Sequence, residues 1–164
     1  MPDHNATNRI AREQADVQRG GLPADRGPRH QESLPARFAP QLLSVLRIVA
    51  ALIFLLHGTQ KLLGFPPMAN GGPGPEAFTL SWTAGVLELV LGALLLPGLL
   101  TRIAAFVASG EMAAAYFIGH APRNLFPTLN GGDAAILYCF VFLYIAAAGP
   151  GPWSLDALLR RRRR

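Results

Sequence analysis

Arg47, His57, Lys61, Glu88 and Glu111 all lie within or at the edge of long apolar stretches. A charged group at the centre of an inserted helix costs at least about 2.5–3.5 kcal/mol, so each of them calls for a counter-charge, a hydrogen-bond partner or a ligand. Two chemistries answer that demand. In the structural one, Glu88 pairs with His57 or Lys61, Glu111 pairs with Arg47 or carries a proton, and the pairs fix helix register. In the functional one, the same groups line a proton-handling or ligand-binding pocket in which Glu88 orients His57, because histidine is the side chain whose charge changes near neutrality. Gln60, beside Lys61, and Asp133, at the start of the last apolar stretch, complete the candidate polar cluster.

Depth and angle favour grouping these residues. At roughly 1.5 Å per residue, Lys61 falls near one interface, His57 about 7 Å and Glu88 about 10 Å inside it, and Glu111 near the midplane, with Arg47 toward the other side. At about 100° per residue, Arg47, His57 and Lys61 share a sector of about 80° on one helix. Gly85, Glu88 and Gly92 share one of about 60° on the next. On the third, Ala104, Ala108, Glu111, Ala115 and Gly119 form a strip of small residues around the acid, a pattern that lets membrane helices approach closely.

Other chemistries are excluded or weak. A thiol-oxidase mechanism needs a reactive cysteine pair, and Cys139 is the single cysteine, best read as a packing residue. No glutamate is followed three residues later by histidine, so a carboxylate-bridged di-iron site is not expected. A haem between His57 and His120 is not expected either, since the two fall at different depths; His120 reads as an exposed loop residue. The net charge of +5, the pI near 10.3 and the run Arg160 to Arg164 could suggest nucleic acid. A terminal basic run in a membrane chain is instead expected to meet anionic lipid head groups, and no nucleic-acid partner is expected.

The elements that position these residues are four apolar stretches: Leu42 to Phe65, Ser81 to Leu100, Thr101 to Gly119 and Gly132 to Ala148. A bilayer core of roughly 30 Å takes helices of about 20 apolar residues, and lipid leaves no partner for the backbone of an open sheet. The expected fold is therefore all-α, a transmembrane four-helix bundle over 42–148 in contact with the lipid bilayer. Residues 1–41 hold six arginines and five acidic residues among few aliphatics, which predicts a disordered polar tail. That segment shows no signal-peptide core. Residues 149–164 predict an interfacial segment, with Trp153 at the membrane boundary, Ser154 capping a short helix and a basic tail after it. Basic residues concentrate on the side that holds both termini, which predicts a bacterial cytoplasmic membrane protein with cytoplasmic N- and C-termini.

Leu46-Arg47, then His57-Gly58-Thr59-Gln60-Lys61-Leu62-Leu63-Gly64, Gly85-Val86-Leu87-Glu88-Leu89, Gly98-Leu99-Leu100-Thr101-Arg102, Asn130-Gly131-Gly132-Asp133 and Gly149-Pro150-Gly151-Pro152-Trp153-Ser154-Leu155-Asp156 together resemble the DoxX family of bacterial four-helix membrane proteins. The resemblance covers about residues 42–159; Asp133 stands where that family often has glutamate. It implies a membrane subunit or partner of a quinone-linked or thiol-linked redox process, as in the related small subunit of thiosulfate:quinone oxidoreductase. It does not imply a self-sufficient catalytic cycle. A redox protein partner and a quinone held by His57, Gln60 or Lys61 follow as expectations, with homo-oligomerisation left open. The residues also leave open a small-solute or proton-coupled transport component built on Glu111, which with so few helices would have to self-associate, and a non-catalytic membrane scaffold.

Overall fold

The structure is a computed structural model and describes residues 34–68 and 71–162. The described residues are helical with connecting turns. Helix α1 spans Leu34–Leu63, α2 Leu80–Leu95 and α3 Thr101–Ala115, the last running on through a π-helical segment, Tyr116–His120. A short helix α4, Pro127–Asn130, leads into α5, Asp133–Ala148, and α6 spans Leu155–Arg162. The polar leader ahead of Leu34 lies outside the described residues.

Helix α1 begins ahead of Leu42 and carries Pro40 within its first two turns. Its apolar part, Ala36–Leu63, and the continuous stretch Thr101–His120 are long and apolar enough to cross a membrane. Helices α2 and α5 are apolar but only 16 residues each, about 24 Å at 1.5 Å per residue. The second apolar stretch does not run as helix to Leu100 as its composition suggested. It stops at Leu95 because Pro97 has no N–H to donate, and Gly98 (φ +74°) and Leu100 (φ +50°) turn the chain back into α3.

Packing is set by small residues. The buried stripe of α1 runs Ser44, Arg47, Ala51, Phe54, Gly58 and then the Lys61 stem, at helical spacing. Gly58 meets α2 so closely that a Cβ there would lie 2.6 Å from the Leu89 backbone nitrogen, and Gly92 seats Leu55 one level away. Helix α3 turns Ala104, Ala105, Ala108 and Met112 inward, and Ser109 Oγ donates to the Cys139 carbonyl of α5 at 2.9 Å. Phe54 and Phe142 close the centre edge to face, their rings 4.8 Å apart. Many large apolar side chains on the outer faces, Val49, Ile103, Phe106 and Phe140 among them, are exposed, as expected where lipid is the solvent.

Candidate functional site

The polar residues separate into two groups at opposite ends of the helices, with Asp133 outside both. At the end where α1 finishes and α2 begins, Lys61 Nζ lies 2.6 Å from Glu88 Oε1. Gly85 makes this pair feasible. Any Cβ at that position would press on Lys61 Cβ and Leu62, so the absence of one lets the lysine stem lie against α2 and reach one turn along it. Glu88 is 3% exposed, and its second oxygen, Oε2, has no hydrogen-bond partner among the described residues.

Beside this pair a cleft of about 500 Å³ opens between α2 and α3. Leu80, Leu87, Ala84, Ala114 and Ile118 give it apolar walls, and Lys61, Glu111, His120 and Arg123 bring polar groups to it. Both carboxyl oxygens of Glu111 are buried without a hydrogen-bond partner among the described residues. Such a group inside a protein calls for a partner that completes it.

His120 reaches the cleft because α3 ends in π geometry. Ala121 N donates to Tyr116 O at 2.8 Å, an i→i+5 bond that inserts one residue into the turn and shifts every later side chain off the 3.6-residue period. His120 Nδ1 then lies 3.1 Å from the Asn130 carbonyl. A carbonyl can only accept, so Nδ1 carries the proton of that bond and Nε2 is left as an acceptor in the neutral ring. Asn130 Oδ1 accepts from Gly132 N at 2.7 Å and its Nδ2 donates to Asn124 O at 2.9 Å. Gly131 takes φ +69°, and Gly132 leaves room for the Tyr116 and His120 side chains. The Asn-Gly-Gly run is thus a seat for the π segment. His120 is half-buried and lines the cleft, where the sequence reading had made it an exposed loop residue.

His57 stands near enough to Glu88 for its charge to act on the acid, but does not bond to it. No hydrogen bond or ion pair joins them, and His57 is exposed, with Tyr138 edge-on to its ring at 6.4 Å between centroids. The physical reason is angular: His57 sits at one edge of the sector shared with Arg47 and Lys61, about 80° from Arg47, whereas the buried stripe is centred on Phe54 and Gly58. Gln60 Nε2 donates to the Pro67 carbonyl at 3.1 Å and holds the loop after α1. Asp133 is exposed in the first turn of α5, where the helix dipole favours an acid, and does not line the cleft.

Arg47 does not pair with Glu111. It lies at the other end, fully buried, and donates to the Pro150 carbonyl at 2.6 Å and the Trp153 carbonyl at 2.7 Å. Gly98 and Gly151 allow the approach: a side chain at Gly98 would strike the Arg47 guanidinium, and one at Gly151 would strike Ser44 Oγ, which accepts from Trp153 N at 3.2 Å. Arg102 Nη1 donates to the Ala146 and Ala147 carbonyls at the end of α5, at 2.8 and 2.6 Å. Asp156 does the converse for α3, accepting from Leu100 N at 3.0 Å and Thr101 N at 2.9 Å. Partial burial opposes its charge, but those N–H donors outweigh the burial and hold its carboxyl below the usual range. Ser154 Oγ accepts from Ala157 N at 3.1 Å, capping α6. The run from Gly149 to Asp156 is therefore a strap that ties α1, α3 and α5 together.

A model of the DoxX family matches residues 42–121. A Haemophilus influenzae protein of uncharacterised function is 46% identical over 123 residues, covering 73% of this chain and 92% of the relative. A Mycobacterium tuberculosis protein, named as an uncharacterised membrane protein, is 32% identical over 150 residues, covering 75% of this chain and 84% of the relative. No solved structure matches the chain. With the apolar helices, the strap and the glycine contacts carrying the motifs, the chain belongs to the DoxX family of membrane proteins.

Proposed function

We propose that this protein is the membrane subunit of a quinone- or thiol-linked redox process and that the cleft between α2 and α3 receives a quinone-like head group. The cleft itself carries this reading. Its volume, about 500 Å³, lies in the roughly 300–1,000 Å³ range of small-molecule sites, and it has the apolar walls with few convergent polar groups that such sites share. Lys61 and Arg123 offer donors to ring carbonyls, and an isoprenoid tail would lie along Leu80, Leu87 and Ile118. A bound quinone would exchange electrons with a partner, the redox protein that the family resemblance implies. The excess of arginine in the leader, at Arg102 and from Arg160 to Arg164 supports a bacterial cytoplasmic membrane with both termini inside.

Trp82, beside the cleft-lining Ser81 and Thr83, gives a direct test. Short-tailed ubiquinone and menaquinone analogues should quench its fluorescence saturably in a Trp153→Phe background, and Lys61→Met with Arg123→Gln should weaken the binding about tenfold. Absence of saturable quenching by either class would overturn the reading.

One observation favours proton-coupled transport as a second reading: the unpartnered carboxyl of Glu111 on the cleft wall. It requires proton flux in proteoliposomes that is lost in Glu111→Gln, and a tight membrane with the wild-type protein would end it.

A further inference from the structure

A second groove, about 440 Å³, lies at the opposite end from the quinone cleft, where α6 passes beside the start of α3. Leu99, Leu100, Ile103, Pro150 and Leu159 form its apolar surfaces, and Arg102 and Arg160 stand at it. Leu100, Ile103 and Leu159 are all well exposed. Neither arginine is used up by the protein. Arg102 spends Nη1 on the end of α5, and Arg160 donates only through Nε, to Asp156 O at 3.3 Å. The remaining guanidinium nitrogens of both have no partner among the described residues. Asp156 also lines the groove; its two oxygens accept from Leu100 N and Thr101 N, and its charge acts on Arg160 without a side-chain hydrogen bond to it.

Helix α6 is itself amphipathic. Leu155, Leu158 and Leu159 are exposed, and the helix then enters the basic run Arg160 to Arg164. A short helix of this composition lies in the interface, with leucines toward the acyl chains and arginines at head-group level. There the groove presents two cationic forks beside an apolar trough. Arginine recognises phosphate oxygens by paired N–H donors, so the chemistry complementary to this surface is a phosphate ester carrying hydrocarbon chains.

We propose that the groove between α6 and the first turn of α3 seats one anionic phospholipid, its phosphate taken by Arg102 and Arg160 and an acyl chain lying along Leu100, Ile103 and Leu159. The site is independent of the quinone cleft, and either assignment can fail without the other. It differs from general attraction of a basic tail to the membrane because two particular arginines, rather than the whole run, hold the ligand.

The test is native mass spectrometry of the full chain in detergent, titrated with phosphatidylglycerol and with phosphatidylcholine of the same acyl chains. One phosphatidylglycerol should bind at least tenfold more tightly than phosphatidylcholine. Arg160→Gln should weaken it about fivefold, a single arginine at the membrane surface being worth about 1 kcal/mol. Arg161→Gln and Arg162→Gln, outside the groove, should change it less than twofold. Equal affinity for the two lipids, equal losses in all three variants, or displacement by chain-free glycerophosphate at matching concentration would each overturn the proposal. Equal affinity of the wild-type chain for the two lipids overturns the proposal even if a variant fails to fold.

Discussion

Lys61 Nζ and Glu88 Oε1 meet at 2.6 Å across the α1–α2 contact, with Gly85 one turn before the acid leaving space for the lysine stem. The pair is unequal in exposure, the Glu88 side chain at 4% and that of Lys61 at 23%, so the lysine head can reach the cleft while the acid is committed to the helix interface. Lys61 thus both joins α1 to α2 and lines the cleft.

Removing one partner strands the other. Glu88→Leu or Lys61→Met alone should lower unfolding stability in detergent by about 3–5 kcal/mol, whereas Lys61→Met with Glu88→Leu should lose much less than the sum. Chemical denaturation of the four species forms the double-mutant cycle, and strict additivity would show that the pair contributes no coupling.

Two helical glycines should respond in opposite ways to alanine. At Gly58 the new Cβ would sit 2.6 Å from the Leu89 backbone nitrogen, so Gly58→Ala must move α1 away from α2 and should destabilise by about 1–3 kcal/mol. At Gly110 nothing lies within 4 Å. Gly110→Ala should therefore be neutral or stabilising by up to about 1 kcal/mol through helix propensity. Thermal melts of both variants check the sign.

Arg47→Lys should not preserve the strap. A lysine presents one compact charge in place of a planar fork and cannot donate to the Pro150 and Trp153 carbonyls with the same geometry. In a Trp82→Phe background, where Trp153 is the sole reporter, its emission should shift to the red in Arg47→Lys and in Arg47→Met. Unchanged emission would mean that the strap stays docked without the guanidinium.

Asp156 confers a pH dependence whose sign follows from its depressed pKa. Its contribution to stability is present above the ordinary carboxylate range and is lost as pH falls through the lower, folded value. Asp156→Ala should remove the cap of α3 at a cost of about 1 kcal/mol near neutrality. The gap between wild type and variant should close in acid, as followed by unfolding midpoints from pH 7 downward.

Much of the helical frame was legible because apolar length and helical spacing are properties of the sequence itself. That Glu88 needs a cation was equally readable, and Lys61 was among its candidates. The partner of Arg47 was not, because a backbone carbonyl has no residue identity. The Gly-Pro-Gly-Pro-Trp run was visible as a motif, but its role as ligand to an arginine about a hundred positions earlier depends on where the chain returns. The exposure of His57 has a geometric reason: a sector wide enough to include it extends beyond the stripe that is buried. His120 was hidden by the π segment, since a fixed period of 3.6 fails wherever an extra residue enters a turn. The pairing of a helix end with Gly-His and a following Asn-Gly-Gly was the one signal that could have placed it.

The strap that joins Arg47 to the carbonyls of Pro150 and Trp153 has a consequence for biosynthesis. Its residues follow every apolar helix in the chain, so a nascent polypeptide inserts α1 long before the ligands of its buried guanidinium have been translated. Until they arrive that cation must find interim company in water, lipid phosphate or the insertion machinery. The clasp therefore cannot close until the run from Pro150 to Trp153 has been synthesised, after the apolar helices it fastens have been translated.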